Sequence, residues 1–464
     1  MKIINENILL IINRNQIFLA FILIFILSCE DFVEVDPPRT DLTSSTVFLQ
    51  DETANAAMLD IYYQLVSPGF ASGSTRSITF LSSLSSDELI NYNSDPDVDQ
   101  FYSNNLSPTN FINSNLWSSM YSVIYKSNSI LEGLNNSTTL SEDLKKQLLG
   151  EAKFMRAFCH FYLLNLFGDI PLITTTDYIT NTNISRSESD EVYNQIINDL
   201  ISAQQYLLDD YSFSDNNRNR VNKGAATALL SRVYLFHGDW ANAEIQATSL
   251  INNSNYSLVS DLSQVFFVNS SESILQLTSR TNYPEDIFTF YIFSTTPSNG
   301  ALRPELVESF ELGDMRRSIW IKNTSGTPVY FFPSKYQSFA QLSEFTTIFR
   351  LAEQYLIRAE ARAMQNNIVG NESAISDLNI IRNRAGLNNS NANDLSSALS
   401  AIQTERLHEL FTEWGHRWID LKRYGIVDDV MSNVKNNWES TDQLYPIPEE
   451  QLISDPFIEQ NPGY

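Results

Sequence analysis

The chain has 464 residues and carries 55 Asp and Glu against 30 Lys and Arg, which gives a formal net charge of −25 at pH 7. Hydrophobic residues make up 43% and aromatic residues 12% of the chain, so a disordered chain is excluded and a sizeable core can form. The acidic balance argues against nucleic acid and anionic lipid headgroups as partners and favours neutral ligands.

The first residues have the pattern of an export leader. An apolar run at 17–27 follows two basic residues; it is shorter than the roughly 18 residues that cross a bilayer, but it fits the hydrophobic part of a signal peptide. A small residue then precedes Cys29 and two acidic residues follow it, which resembles a bacterial lipobox. We therefore predict that 1–28 is a lipoprotein signal peptide, that Cys29 is acylated, and that 29–46 is a tether. The lipid would then be the only contact with the membrane.

Helical periodicity extends over most of the remaining chain and predicts a single, mainly α-helical domain over 47–464. The predicted helices cover roughly 51–66, 116–134, 141–167, 188–208, 221–253, 349–366, 371–386 and 396–425. In the third of these, the spacing of Phe154, Phe158, Phe161 and Tyr162 is that of one buried helix face.

Two segments have the small-residue pattern of tetratricopeptide-like helical hairpins. In the first, residues 224–226 lead through a tight turn at 238–240 to Ala243 and Ala247. In the second, alanines between 355 and 374 repeat the pattern with a longer turn. Small residues let two helices approach closely, so both segments resemble tetratricopeptide units. Any antiparallel helical hairpin is the alternative interpretation.

Two long regions rich in Ser, Asn and Thr separate the helices, at 67–115 and at about 255–341. The second contains short β-like runs at 273–277 and 329–332. Loops of this length in a compact domain are usually functional. The sequence therefore predicts a helical scaffold that carries irregular loops and a few short strands on a ligand-binding side.

Aromatic side chains in these polar regions are the candidate ligand contacts. An aromatic ring in a periodic helix belongs to the core, whereas a ring in a polar loop is available to stack on the apolar face of a sugar. The candidates fall into two clusters and one isolated residue. They are Tyr92, Phe101 and Tyr102, then Tyr283, Phe288 and Tyr291, and finally Trp320. Packing beneath the loop is the alternative for each of them.

Three stretches carry a resemblance to a known family. The first runs from Glu151-Ala152-Lys153-Phe154-Met155-Arg156-Ala157-Phe158 to Phe167-Gly168-Asp169-Ile170-Pro171-Leu172. The second lies at 405–423 and contains Glu413-Trp414-Gly415-His416-Arg417-Trp418. The third is the tail at 445–464, which ends in Asn461-Pro462-Gly463-Tyr464. Together with the lipobox, they resemble the SusD/RagB family of outer-membrane nutrient-binding lipoproteins of Bacteroidetes.

The resemblance implies a lipid-anchored protein of the outer membrane that faces the outside of the cell. It implies a partner, a TonB-dependent SusC-like barrel over which the lipoprotein sits as a lid. It also implies a ligand, an oligosaccharide in most members of the family and a peptide in others. The prediction is therefore a surface glycan-binding protein that serves nutrient uptake, with peptide import as its nearest alternative.

Signatures of catalysis and of cofactor binding are missing from the sequence. No nucleophile elbow, phosphate loop or dinucleotide fingerprint is present, and Thr412 breaks the zinc pattern that His408 begins. Cys159 lies in an apolar helical context and is predicted to be buried rather than a nucleophile. The run at 95–99 begins like a calcium loop, but Gln100 replaces the required glycine, so an EF-hand is rejected. We predict a protein without catalytic activity or cofactor, with a calcium ion in this loop left open.

The charges near the end of the chain suggest a structural network. Glu405, Arg406, Glu409, Glu413 and Arg417 follow one another at spacings that include three and four residues, which predicts an ion-paired helix face. We interpret it as structural rather than catalytic. Two rival functions stay open at this point: a tetratricopeptide-like scaffold that binds only proteins, and a hydrolase that uses two of the many carboxylates.

Overall fold

The protein is built mostly from α-helices, as a computed structural model that describes residues 44–66, 69–279 and 281–464 shows. The predicted signal peptide, Cys29 and most of the predicted tether lie outside these residues. The helices are α1 Ser44–Val47, α2 Asp51–Val66, α3 Ile78–Ser85, α4 Pro96–Ser103, α5 Phe111–Asn136, α6 Glu142–Phe167, α7 Tyr178–Asn181, α8 Ser189–Tyr206, α9 Lys223–His237, α10 Trp240–Ile251, α11 Glu285–Phe290, α12 Pro304–Glu308, α13 Met315–Ile319, α14 Leu351–Met364, α15 Ala374–Arg384, α16 Leu395–Leu410, α17 His416–Arg423, α18 Val427–Val434 and α19 Glu449–Ser454. The mainly α-helical fold class is thereby confirmed. Residues Phe48–Tyr464 form one compact unit.

Short strands occupy the regions between the helices. They are β1 Leu89–Asn91, β2 Ile170–Pro171, β3 Arg186–Ser187, β4 Ser273–Leu277, β5 Gly300–Leu302, β6 Ile321–Asn323, β7 Phe331–Pro333 and β8 Thr346–Arg350. Four of them form an antiparallel sheet in the order β1-β5-β7-β6, and β4 pairs with β8. The predicted strand at 273–277 is confirmed, and the run at 329–332 becomes a strand two residues later.

Consecutive antiparallel helices form the scaffold. Helix α6 packs against both α5 and α8, and α8 packs against α9. The predicted face of α6, with Phe154, Phe158, Phe161 and Tyr162, is fully buried, as is Cys159. Because α6 has neighbours on both sides, it is apolar around most of its circumference and holds the centre of the core.

Both predicted helical hairpins form. In the first, α9 and α10 are joined at Gly238-Asp239, and the Asp239 carboxylate accepts a hydrogen bond from the Asn242 N–H at 3.2 Å. In the second, the alanines of α14 pack against α15 and also against α16. Small side chains line each contact, so the helices approach closely, as the tetratricopeptide-like pattern requires.

Two expectations about secondary structure are wrong. The predicted helix 396–425 is two helices, because Thr412, Trp414 and Gly415 adopt left-handed backbone conformations between α16 and α17. The backbone break is held from outside: the Thr412 N–H donates to Glu88 Oε1 at 2.9 Å, and the Trp414 indole N–H donates to the Thr347 carbonyl at 2.7 Å. The second error concerns the two regions between the predicted helices: 67–115 contains α3, β1 and α4, and 255–341 contains α11, α12 and α13 as well as short strands.

The predicted ion-paired face near the end of the chain is a buried network whose partners come from other elements. Arg350 contacts the carboxylates of Glu409 at 2.5 Å and Glu413 at 2.9 Å, and Arg316 contacts Glu405 at 2.7 Å. Burial of this kind fits the structural interpretation. Pairing along one helix face, however, is wrong, because the cations arrive from β8, α13 and neighbouring segments.

Candidate functional site

The four-stranded sheet brings together the two loop regions that supplied the predicted ligand contacts. Strand β1 pairs with β5 in the register Leu89↔Leu302, and the pairing continues beyond the strands. The Tyr92 N–H donates to the Asn299 carbonyl at 2.8 Å, and the Asn93 amide donates to Asn299 Oδ1 at 3.2 Å. Residues about 200 positions apart in sequence therefore share one surface.

On this surface lie five aromatic side chains that we call the aromatic patch: Tyr92, Tyr291, Phe293, Tyr330 and Phe339. The Tyr92 and Tyr330 rings meet edge to face at a centroid distance of 5.4 Å. Tyr291 contacts Phe293 at 4.8 Å and Phe339 at 5.4 Å. The exposed fractions of Phe293, Phe339 and Tyr92 are 65%, 46% and 38%. Rings this exposed have surface available for a ligand.

Beneath the patch is a small apolar cluster that fixes the rings. Ile292, Ala301 and Phe332 are buried together, and Tyr291 and Tyr330 pack against them from above. These residues belong to β5, β7 and the segment after α11, so the sheet itself supports the patch. Because the rings are already held in place, a ligand that binds them pays a smaller entropic cost for ordering the side chains.

A buried carboxyl group lies under one edge of the patch. Asp286 and Tyr291 line the same small cavity, together with Lys335. The Asp286 carboxylate accepts a hydrogen bond from Thr346 Oγ1 at 2.8 Å, and burial raises its pKa to about 6. The group is directed into the protein and helps to hold α11, so we assign it a structural role.

Two uncharged polar groups accompany the rings of the patch, the side-chain amide of Gln341 and the hydroxyl of Tyr92. Gln341 follows Phe339 by two residues, is exposed, and has no hydrogen-bond partner among the described residues. Burial, and to a smaller extent the neighbouring hydroxyl of Tyr330, raises the pKa of Tyr92, so its phenol stays protonated at neutral pH. Such groups exchange hydrogen bonds with sugar hydroxyls, whereas the exposed rings supply apolar faces.

The predicted contact residues have different fates in the structure. Tyr92 and Tyr291 belong to the aromatic patch. Tyr283 and Phe288 contact each other at 5.8 Å. Phe288 is exposed, so this pair stays a candidate beside the patch. Tyr102 is half-buried, with the Lys435 ammonium 4.3 Å from its ring centroid, and it supports the region rather than presenting a face to solvent.

Two of the predicted contacts are wrong because their side chains are fully buried. Phe101 lies inside, 5.2 Å from the Tyr445 ring, because α4 places it on the same face as the buried Val98. Trp320 lies at the end of α13, and its indole N–H donates to the Leu262 carbonyl at 2.9 Å. Neither ring has an exposed face that could stack on a ligand.

Sequence reasoning missed Phe293, Tyr330 and Phe339. Phe293 precedes the polar run Ser294-Thr295-Thr296, and Phe339 lies between Ser338 and Ala340-Gln341. Both phenylalanines therefore satisfied the rule that selected the other candidates. Tyr330 was assigned to a β-like run; it precedes β7 and reaches the patch through the pairing of the sheet.

No group of three or more His, Cys, Asp or Glu side chains in the described ranges is arranged to hold a metal ion. The run at 95–99, which begins like a calcium loop, starts helix α4. The Asp95 side chain accepts a hydrogen bond from the Asp97 N–H at 3.0 Å, and Asp99 accepts one from the Asn91 amide at 2.9 Å. A calcium ion in this loop stays an untested possibility of the sequence.

Comparison with known proteins gives a consistent result along the chain. Residues 31–235 match a family model described as starch-binding and associating with the outer membrane, and residues 304–464 match the SusD family model. The chain belongs to the SusD/RagB family. The resemblance carried by the motifs at 151–172, 405–423 and 445–464 is thereby confirmed.

SusD-like proteins from several bacteria resemble the chain over nearly its whole length. One from Formosa agariphila is 25% identical, and the alignment covers 96% of this chain and 97% of the Formosa protein. A solved SusD superfamily protein from Parabacteroides distasonis has a TM-score of 0.78 at 25% identity, with 91% of this chain and 100% of the other covered. A solved laminarin-binding SusD-like protein has a TM-score of 0.73 at 25% identity, with 89% and 99% covered.

None of the helices in the described ranges has the length and hydrophobicity needed to cross a membrane.

Proposed function

We propose that this SusD/RagB protein binds a glycan on its aromatic patch at the outer membrane and passes it to a TonB-dependent SusC-like transporter. Binding is without covalent chemistry. Lipid attachment at Cys29 and an orientation toward the outside of the cell are part of the proposal. The starch-binding, outer-membrane description of the matched family model and the laminarin-binding relative support the class of ligand and the location.

The observation that carries the proposal is the exposure of Phe293 and Phe339 on a supported surface. Their rings contact each other at 5.8 Å and both contact Tyr291. Soluble proteins rarely leave grouped aromatic rings in water unless something binds there. Sugar rings present flat apolar faces with hydroxyls at their edges, which match rings flanked by amides such as Asn93 and Gln341.

The test is affinity electrophoresis of the full chain in gels that contain starch, laminarin, xylan, galactan or mannan. A sugar-free detergent is required, since alkyl glycosides would compete for the site. We expect at least one polysaccharide to retard the chain, and we expect Phe293→Ala with Phe339→Ala to weaken binding about tenfold or more, or roughly 1.4 kcal/mol. Phe111→Ala, which removes an exposed ring on α5, is the matched control and should bind like the wild type.

Three results would contradict the proposal. The first is unchanged retardation in the double variant with an intact fold, because the patch would then not be the site. The second is binding of a peptide library in place of every glycan, which would favour peptide import. The third is the release of shorter sugars from the gel polysaccharide, which would indicate a hydrolase.

A further inference from the structure

A concave surface that shares no residue with the aromatic patch lies elsewhere on the protein. It is a groove of about 410 Å³ between helix α5, the segment 171–184 and the residues around 451–458. None of the patch residues contributes to it. Its volume falls in the range of about 300–1,000 Å³ that is usual for small-molecule sites, whereas protein docking surfaces are commonly flatter. We call it the tyrosine groove.

Aromatic side chains form one wall of the tyrosine groove. Trp117 and Tyr121 contact each other at a centroid distance of 4.9 Å, and the Tyr121 hydroxyl donates to the Pro171 carbonyl at 2.8 Å, which fixes this part of the wall. Tyr125, one helical turn further along α5, is 55% exposed. Tyr178, which begins α7, is 75% exposed. Neither of these two hydroxyls has a hydrogen-bond partner among the described residues.

The opposite wall is held in place before any ligand arrives. Glu132 on α5 accepts hydrogen bonds from the Thr176 N–H at 2.8 Å and from the Thr175 hydroxyl at 3.1 Å. The Asn181 amide donates to the Thr175 carbonyl at 2.9 Å. The segment that carries Tyr178 is thus attached to the same helix that carries Tyr125, so the two exposed rings keep a fixed relation.

Unused hydrogen-bonding groups line the groove. The Asn181 Oδ1 atom is buried and has no partner among the described residues, although buried acceptors are normally paired. The side-chain amide of Gln451 also makes no hydrogen bond within these residues. Among the described residues that line the groove, Asp455 is the single carboxylate and none is a lysine or arginine. An anionic ligand would therefore meet no compensating charge.

We propose that the tyrosine groove is a second glycan-binding site that takes neutral sugar rings. Tyr125 and Tyr178 supply the stacking faces, and Asn181 and Gln451 supply the amides for hydroxyl groups. The inference rests on the proposed function only for the class of ligand; the site itself is separate from the aromatic patch. Two sites on one chain would let it hold a polysaccharide at two points, which raises its avidity.

The test compares variants of the full chain by affinity electrophoresis in the five polysaccharides named above, again in a sugar-free detergent. The groove variant is Tyr125→Ala with Tyr178→Ala, and the patch variant is Phe293→Ala with Phe339→Ala. Tyr206→Ala, an exposed tyrosine of α8 outside both sites, is the matched control. The side chains changed in the groove variant are exposed, and thermal unfolding of each variant confirms that it is folded. Gln451→Ala provides a second, milder change in the groove.

We expect the groove variant to bind at least one polysaccharide about tenfold more weakly than the control, with a smaller loss for Gln451→Ala. Combining the groove and patch changes should remove the retardation that either variant alone retains. If the groove variant behaves like the control in every polysaccharide that retards the wild type, the groove proposal is overturned while the patch proposal stands. If the patch variant behaves like the control while the groove variant binds more weakly, the patch proposal is overturned and the groove proposal stands. No retardation of the wild type by any polysaccharide overturns both.

Discussion

Single residues show why an aromatic ring in a polar segment is an ambiguous signal. Phe101 and Tyr92 have similar polar neighbours in the sequence, yet one is buried and the other exposed. The difference is local helix formation: α4 places Val98 and Phe101 three residues apart on one face, and that face packs inward. Tyr92 leaves the end of a strand, where its backbone is fixed by Asn299 and its ring remains at the surface.

Glu88 provides a prediction about pH at the residue scale. Its carboxyl accepts hydrogen bonds from the Ser83 hydroxyl at 2.7 Å and from the Thr412 N–H, and burial raises its pKa from 4.5 to about 7. Because the folded chain holds this proton more tightly, the stabilising contribution is present below about pH 4.5 and is lost as the pH rises through about 7. The loss is about 3 kcal/mol in the free energy of unfolding.

Glu88→Gln removes this titration, since an amide stays neutral at every pH used. We expect the variant to gain about 3 kcal/mol relative to the wild type between pH 4.5 and pH 7, as measured by urea unfolding at a series of pH values. Glu52→Gln, at an exposed carboxylate of α2, should show no such trend. A constant difference between Glu88→Gln and the wild type would mean that Glu88 does not titrate in this range.

Secondary-structure elements are well determined where one face is periodic and poorly determined where a long-range contact interrupts the chain. The sequence at 396–425 has continuous helical periodicity, yet the helix is interrupted at 411–415. The break brings Glu413 and Trp414 into contact with β8 and its neighbours. The hydrogen bonds and ion pairs formed there offset the loss of helical hydrogen bonds. These long-range contacts cannot be predicted from the local sequence pattern.

Gly415 tests this account of the break between α16 and α17. It has a φ of 69°, and a Cβ atom would lie 2.8 Å from Ser82 Oγ. Gly425 has a similar φ of 67°, but nothing lies within 4 Å of its Cβ position. Gly425→Ala should therefore cost only the left-handed backbone penalty of about 1–2 kcal/mol. Gly415→Ala should cost more, because Ser82 must also move. Equal losses in urea unfolding would contradict this, because they would show that Ser82 of α3 accommodates the added Cβ atom at no cost in stability.

At the scale of the whole molecule, the helical scaffold provides stability and the side with the loops and the sheet provides the candidate binding surface. Helices α5, α6, α8, α9 and α10, with α14 and α15, bury small and apolar faces against one another and fix the frame. The sheet β1-β5-β7-β6 is made of segments that are far apart in sequence, and it brings the segments of Tyr92 and Tyr330 side by side. Loops can vary on such a frame without disturbing it, which suits a family that binds different ligands.

The overall charge leads to a prediction about salt. The net charge is −25, and the ligand we propose is neutral, so no counterions are released when it binds. We expect the dissociation constant for the retarding polysaccharide to change by less than about twofold between 50 and 500 mM NaCl. A steep weakening with salt would instead show that charged side chains of the protein carry much of the binding, contrary to a site built from aromatic faces and amides.

Local periodicity and motif order by themselves determined the helical fold class, both hairpins, the strand at 273–277 and the family. These features depend on residues that are close in sequence. The spacing of apolar residues within one or two turns shows directly which face of an element is buried. The sequence also located the two regions that hold the candidate site. It did not separate Tyr92 and Tyr291 from Phe101 and Trp320, and it missed Phe293 and Phe339.

The tertiary structure decided which rings face solvent, because that depends on the pairing of β1 with β5 across about 200 residues. It also decided the partners of Glu405, Glu409 and Glu413, whose spacing suggested pairs along one helix. Burial removes those carboxylates from water, so each needs the cation that the fold brings nearest rather than the one nearest in sequence. Sequence fixes what each segment can form alone, and long-range packing selects which surfaces remain for a ligand.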